Sequence, residues 1–156
     1  LVFSPARWLL VMDDLQPLSC QTPCETTFSQ WFHFDATLIR LSQSDTALCL
    51  RLPDQRQLHC QNLAAGQIST HYGEVFPRLQ AWQATENYSC LTPAWTMGIH
   101  VKCEAARFTT LLSLIGPCRE GEAVENGYLL RFAHGEIERI LWGDAEHAEA
   151  RPAILP

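Results

Sequence analysis

Lysine is almost missing from this chain. Lys102 stands alone beside ten arginines, and the formal net charge is −6. The arginines are scattered, and no basic run exists. A nucleic-acid groove needs clustered cations to displace the counterions of phosphates, so that class of partner is excluded. Long apolar runs are missing too. None approaches the roughly 20 residues of a membrane-spanning helix, and no signal peptide is visible. No amphipathic pattern of helical period persists for ten residues. The sequence has no Gly-x-Ser-x-Gly elbow, phosphate loop, dinucleotide fingerprint or His-Glu-x-x-His motif. It has no internal repeat, low-complexity tract or linker.

What remains is an ordinary globular composition of 156 residues, 47% apolar and 18% charged. That length predicts one domain over residues 1–156. Such a chain buries roughly 68–70% of its unfolded surface, so it needs neither a metal nor a disulfide to fold. It begins at Leu1 without Met and reads as part of a longer polypeptide. The seven cysteines are Cys20, Cys24, Cys49, Cys60, Cys90, Cys103 and Cys118, an odd count. Cys20 and Cys24 form one close pair, and a zinc cluster usually needs two. Cys49 and Cys103 sit in apolar strand-like runs, where a thiol packs as a small hydrophobe. On cysteine usage alone, a cytosolic or mildly oxidising compartment fits best.

The pattern is one of short strands with turn signals every eight to twelve residues, which predicts an all-β antiparallel sandwich with few or no helices. Arg7–Asp14 is an apolar run ended by acids and suits a strand buried on both faces. Asp13-Asp14 reads as a strand end entering a loop. In Thr26–Asp35, parity places Phe28, Phe32 and Phe34 on one face, and Trp31, His33 and Asp35 on the other. Further strands are expected at Ala36–Leu41, Thr46–Leu52, Arg56–Gln61, Gln67–His71, Trp95–Cys103 and Phe108–Ile115. Glu120–Asn126 reads as a polar connector. Asn126-Gly127 is a turn pair of the kind that needs positive φ. A terminal hairpin follows from Gly127–Ala133 and Glu136–Trp142, then a helical turn over Asp144–Ala150.

Two clusters carry possible chemistry. The stretch around Trp82, Tyr88 and Trp95 mixes aromatic faces with amides and hydroxyls, which suits stacking on a sugar. It suits a buried strand–turn–strand almost as well. His71-Tyr72-Gly73-Glu74 offers a base, a phenol and a carboxylate within four residues. Elimination from a uronate needs a base for the proton α to the carboxylate and an acid for the leaving oxygen, and His71 and Tyr72 can fill those roles. His33 could act as a metal ligand, a base or a sugar-binding donor, or be structural. His59, His100, His134 and His147 have no partner pattern and read as surface or structural. A uronate or sulfated polymer needs local arginine, and Arg40, Arg51, Arg56, Arg78 and Arg107 supply it only if they converge in space.

The order of motifs resembles a known family. Leu10-Val11-Met12-Asp13 precedes Trp31-Phe32-His33-Phe34. Then come Ile68-Ser69-Thr70-His71-Tyr72-Gly73, Leu79-Gln80-Ala81-Trp82-Gln83-Ala84, Tyr88, Pro93-Ala94-Trp95-Thr96 and Phe108-Thr109-Thr110-Leu111-Leu112. This series is similar to the C-terminal β-sandwich of the heparinase II/III-like polysaccharide lyases, over roughly residues 7–115. Ala81 stands where that family often has Gly, Ala84 where it often has Ser, and Trp95 where Pro is usual. The resemblance implies a parent enzyme that cleaves an acidic, uronate-containing polysaccharide by β-elimination. In it an N-terminal α/α toroid packs against the β region, and the acid and base groups come mostly from the toroid and the earliest β strands, segments that this chain does not include. The resemblance also implies a periplasmic or secreted protein. It makes His33 the third ligand of a structural zinc site whose other ligands lie outside this chain. The piece itself would support the fold and the cleft and be inactive alone. The other readings of the residues are a non-catalytic carbohydrate-binding sandwich using Trp82, Tyr88 and Trp95, and a purely structural interaction domain. If Trp82 follows the family pattern, it is a framework residue rather than a platform.

Overall fold

A computed structural model describes residues 1–15, 26–75, 80–84 and 90–141 and the backbone of 153–154. Among these residues there is no helix. The strands are β1 (Val2–Ser4), β2 (Trp8–Leu15), β3 (Thr26–His33), β4 (Ile39–Gln43), β5 (Ala47–Arg51), β6 (Gln57–Asn62) and β7 (Gln67–Tyr72). They continue with β8 (Trp82–Ala84), β9 (Leu91–Pro93), β10 (Trp95–Cys103), β11 (Ala106–Ser113), β12 (Cys118–Val124), β13 (Gly127–Phe132), β14 (Ile137–Leu141) and β15 (Ala153–Ile154). The fold is all-β and antiparallel, as the turn spacing predicts.

A central six-stranded sheet runs in the order β1-β2-β11-β6-β5-β4. Both of its faces are covered around β11, and side-chain alternation along that strand explains how. Phe108 points to one side, with Leu48, Leu50 and Cys60 of the neighbouring strands. There they meet Ile68, Met97 and Ile99 of a flanking sheet, β3-β10-β7. Leu111 points to the other side, with Trp8 and Leu10. There they meet Tyr128, Leu130, Phe132 and Ile140 of a terminal sheet, β12-β13-β14-β15. The result is a sandwich of three layers with two cores. A strand covered on both faces should read as continuous apolar sequence, and Trp8–Met12 does.

The acids after that run are structural anchors. Asp13 accepts a bond from Gln30 Nε2 at 2.6 Å, and Gln30 Oε1 accepts one from the buried Thr110 hydroxyl at 2.6 Å. That polar bridge joins the central and flanking sheets. Asp14 pairs with Arg107 at 2.5 Å. Cys60 and Cys118 are buried free thiols, and burial pushes both pKa values up.

Several strands depart from the sequence expectation: β4 begins at Ile39 rather than Ala36, because the backbone turns from Asp35 to Leu38, and β12 and β1 depart further. β12 forms where a polar connector is expected, and most of its residues are exposed. It is the edge of the terminal sheet, and an edge strand with one solvated side needs little apolar sequence. β1 is a three-residue edge strand of the central sheet, too short to show a period. At the Asn126-Gly127 turn the positive φ (56°) belongs to Asn126 alone. Gly127 is required for another reason, because a Cβ there would run into the carbonyl oxygen of Ile140. Tyr88, Arg78, Cys20, Cys24, Trp142, His147 and the helical turn expected over Asp144–Ala150 lie outside the described residues.

Candidate functional site

The flanking sheet presents its outer face to solvent, and its register decides which residues share it. In β3, β10 and β7, His33 and His71 both pair with Thr96, Trp31 and Ser69 both pair with Gly98, and Ser29 and Gln67 both pair with His100. Directly opposed residues point the same way, so three rows of polar and aromatic groups lie on one face. Phe28, Phe32 and Phe34 pack in the core behind them. The parity expected within Thr26–His33 therefore holds, and Asp35 lies beyond the end of the strand.

A continuous chain of hydrogen bonds crosses this face. Glu74 Oε1 lies 2.8 Å from His71 Nδ1, and Gln80 Nε2 donates to Glu74 Oε2 at 2.7 Å. His71 Nε2 lies 3.3 Å from Ser69 Oγ, and Ser69 Oγ lies 2.8 Å from His100 Nε2. His100 Nδ1 lies 2.8 Å from Ser29 Oγ. With both rings neutral, one assignment satisfies every member. His71 Nδ1–H donates to the carboxylate, Ser69 Oγ–H donates to His71 Nε2, His100 Nε2–H donates to Ser69, and Ser29 donates to His100. The bonds from His71 and Gln80 hold the Glu74 carboxyl below its usual pKa. Burial, then the nearby His71, lowers the pKa of His100. His71 is thus a fixed imidazole with a carboxylate behind it, an arrangement suited to moving a proton.

Trp31 lies against this chain. Its indole meets the His100 ring edge-on with centroids 5.0 Å apart, and His71 at 5.7 Å. It reaches across Gly98, where a Cβ would sit 2.6 Å from the ring. Even so, 43% of Trp31 remains exposed.

His71 and Tyr72 are adjacent on β7, so they leave opposite faces of the sheet. His71 joins the outer chain, while Tyr72 contacts Trp95 at 4.8 Å between centroids. The structure therefore does not bring the two together as an acid–base couple around one substrate. Trp95 and Tyr72 are a cross-strand pair at the open end of the inner face. Arg40 of β4 lies over the indole, 4.5 Å from its centroid. Of the other arginines, Arg56 is held by Asp54 and Arg107 by Asp14, and Arg78 lies outside the described residues.

Trp82 is half-buried, and its Nε1 donates to the Glu74 carbonyl at 2.9 Å, so it braces the loop that carries Glu74. With His33, Phe34, Asp35, Gln83 and Ala94 it lines an open cleft of about 350 Å³. His33 is exposed, and its Nδ1 meets Thr96 Oγ1 at 3.3 Å. Asp35 is occupied by the amide and hydroxyl of Thr37. Among the described residues no group of three or more His, Cys, Asp or Glu could hold a metal. These residues alone therefore do not fit a zinc site, and no step here runs through a metal.

Glu74 is the carboxylate of the His71-Tyr72-Gly73-Glu74 cluster, whereas Ser69 and His100 carry no motif of their own. The signal for Ser69 in sequence is its i, i+2 spacing from His71 on a strand, and the strand register supplies the rest. The fold and this face define an antiparallel all-β domain with a histidine-rich, partly aromatic sheet surface. Compared with protein-family models, with curated proteins and with solved structures, the chain matches none.

Proposed function

We propose that this chain is the C-terminal β region of a heparinase II/III-like polysaccharide lyase, which cleaves a uronate-containing polysaccharide by β-elimination. The observation that carries this reading is the backbone at Ala81. The family pattern often has Gly there, in its Gln-Gly-Trp segment. Ala81 has φ of 61°, in the left-handed region that glycine favours. It is buried, and its carbonyl accepts from both Gly73 at 3.0 Å and Ala94 at 2.8 Å. Three segments thus meet at a point whose geometry calls for glycine, independently of the residue present. Ala81→Gly should keep the fold and leave stability unchanged or raise it by about 1 kcal/mol, the left-handed cost of an L-residue less the entropy of glycine. A clear loss in a urea titration would remove this support.

In the lyase reading, this region forms one wall of a cleft closed by an α/α toroid upstream, in a periplasmic or secreted protein. His71 and Tyr72 face apart, so at most one of them lines that cleft. His71, backed by Glu74, is the better placed for proton transfer. His33 supplies one zinc ligand, and the other ligands belong to the upstream region. The test compares the 156-residue chain with a longer polypeptide that includes the residues encoded before it. With uronate polymers, the longer form should raise the ultraviolet absorbance of unsaturated chain ends, and the short form should not. Turnover by the short chain would overturn its role as an incomplete part. Silence from the longer form on every uronate polymer would overturn the lyase reading.

A non-catalytic sugar-binding domain is the second reading, favoured by the exposure of Trp31 (43%) and Tyr72 (48%). Retardation on a glycan gel by the short chain, with no lyase activity in the longer one, would favour it.

A further inference from the structure

The cluster of Arg40, Trp95 and Tyr72 is built differently from the other charged contacts of the domain. Arg7, Arg56, Arg107 and Arg131 each pair with a carboxylate. No carboxylate among the described residues pairs with Arg40. It is instead fixed by neutral groups: Nη1 donates to Gln43 Oε1 at 3.0 Å and to Thr70 Oγ1 at 3.4 Å. Thr70 Oγ1 in turn donates to Gln43 Oε1 at 2.6 Å. The Trp95 ring supports the guanidinium at 4.5 Å. Such a contact orients a cation without neutralising it.

Both hydrogen bonds of the Arg40 side chain fall on Nη1. The Nε–H and Nη2–H edge is left with no bond to a described group. That edge presents two parallel donors, the fork that matches a carboxylate or sulfate. The guanidinium lies over the Trp95 indole, and the Tyr72 phenol, 48% exposed, contacts that indole in turn. In a chain of net charge −6, a positioned and unneutralised guanidinium beside two aromatic rings suits a ligand that carries both an anion and a flat C–H face.

We propose that Arg40, Trp95 and Tyr72 form an anion-recognising saccharide subsite. Arg40 takes the carboxylate of an acidic sugar in a bidentate pair, the exposed Tyr72 phenol carries the pyranose ring, and Trp95 holds both side chains in place. The choice of a saccharide rather than another aromatic-stacking acid rests on the lyase reading above. The subsite lies on the opposite side of the flanking sheet from His71, so it recognises and does not react.

The experiment measures binding of the 156-residue chain by calorimetry and Trp fluorescence. The probes are tetrasaccharides from polygalacturonate, alginate and hyaluronan, with carboxyl-reduced forms of each. At least one acidic tetrasaccharide should bind, and its reduced form should bind roughly ten- to hundredfold more weakly, the loss expected for one charge-assisted pair. Arg40→Gln should bring the acidic probe down to the level of the reduced one. Arg40→Lys should recover only part of the loss, because an ammonium keeps the charge without the fork. Thermal melting of both variants should stay near the parent value, since Arg40 is exposed. Equal binding of acidic and reduced probes, undiminished binding by Arg40→Gln, or no binding of any acidic probe would each overturn the subsite. The lyase reading has a separate readout, the unsaturated product, and it survives a failure here.

Discussion

Phe108→Ala should cost about 3–5 kcal/mol of stability, the range for emptying a fully buried aromatic site. Phe108 has no exposed surface. It leaves β11 toward the flanking sheet and shares a core with Leu48, Leu50 and Cys60 on its own sheet and with Met97 and Ile99 across the interface. Alanine would leave a cavity bounded by two sheets. Each sheet is fixed by its own hydrogen-bond ladder, so neither can collapse freely into the gap. A domain of this size commonly has only about 5–15 kcal/mol in total, so the loss is a large part of it. Urea unfolding should show a lower midpoint at unchanged slope. A loss under about 1.5 kcal/mol would mean that the two layers do not close on this residue.

That position was visible in the sequence, while the third layer was not. The run Phe108–Ile115, bounded by Gly116-Pro117, declares a central strand. The run Trp8–Met12 declares another, and both are in the middle sheet. The alternation of Phe28, Phe32 and Phe34 against Trp31 and His33 correctly sorted the two faces of β3. Burial imposes a period on strands whose neighbours are apolar on a known side, and these strands have that. β12 has no such constraint, because its outer residues Arg119, Glu120 and Glu122 are exposed at an edge. Its polar sequence is compatible with either a strand or a loop.

The site was legible in its parts and not in its assembly. His33, His71, Tyr72 and Trp95 could be singled out by residue type. Whether His71 and Tyr72 act together depends on whether they lie on a loop or a strand. On a strand, one step along the chain reverses the face. The partnership of His71 with Ser69 and His100 depends on β7 and β10 being neighbours in a register that pairs Ser69 with Gly98. Nothing local encodes a pairing across thirty residues. Arg40 is similar: its neighbours in sequence are unremarkable, and only the packing of β4 against the end of β10 brings it over Trp95. Ala81 is a further case. Its residue type gives no sign of the positive φ that its backbone adopts.

Gly98→Ala should disturb the outer face of the flanking sheet while leaving its core side alone. A methyl at this position would stand 2.6 and 2.8 Å from two atoms of the Trp31 ring and 2.8 Å from His100 Nε2. Contacts that short cannot persist, so the indole and the imidazole must move. Trp31 is partly exposed and can swing outward. His100 is held from both sides by Ser29 and Ser69, so its movement breaks at least one of two 2.8 Å bonds. The expected cost is about 1–3 kcal/mol, the usual range for forcing an extra carbon into a packed site. Trp emission should shift to the red as Trp31 gains water. The cause can be isolated in a double-mutant cycle. In a Trp31→Ala background the ring is gone, and the cost of Gly98→Ala should fall by about 1 kcal/mol to the part owed to His100. An equal cost in both backgrounds would show that Trp31 does not lie across Gly98, and the aromatic wall of the outer face would then need redrawing.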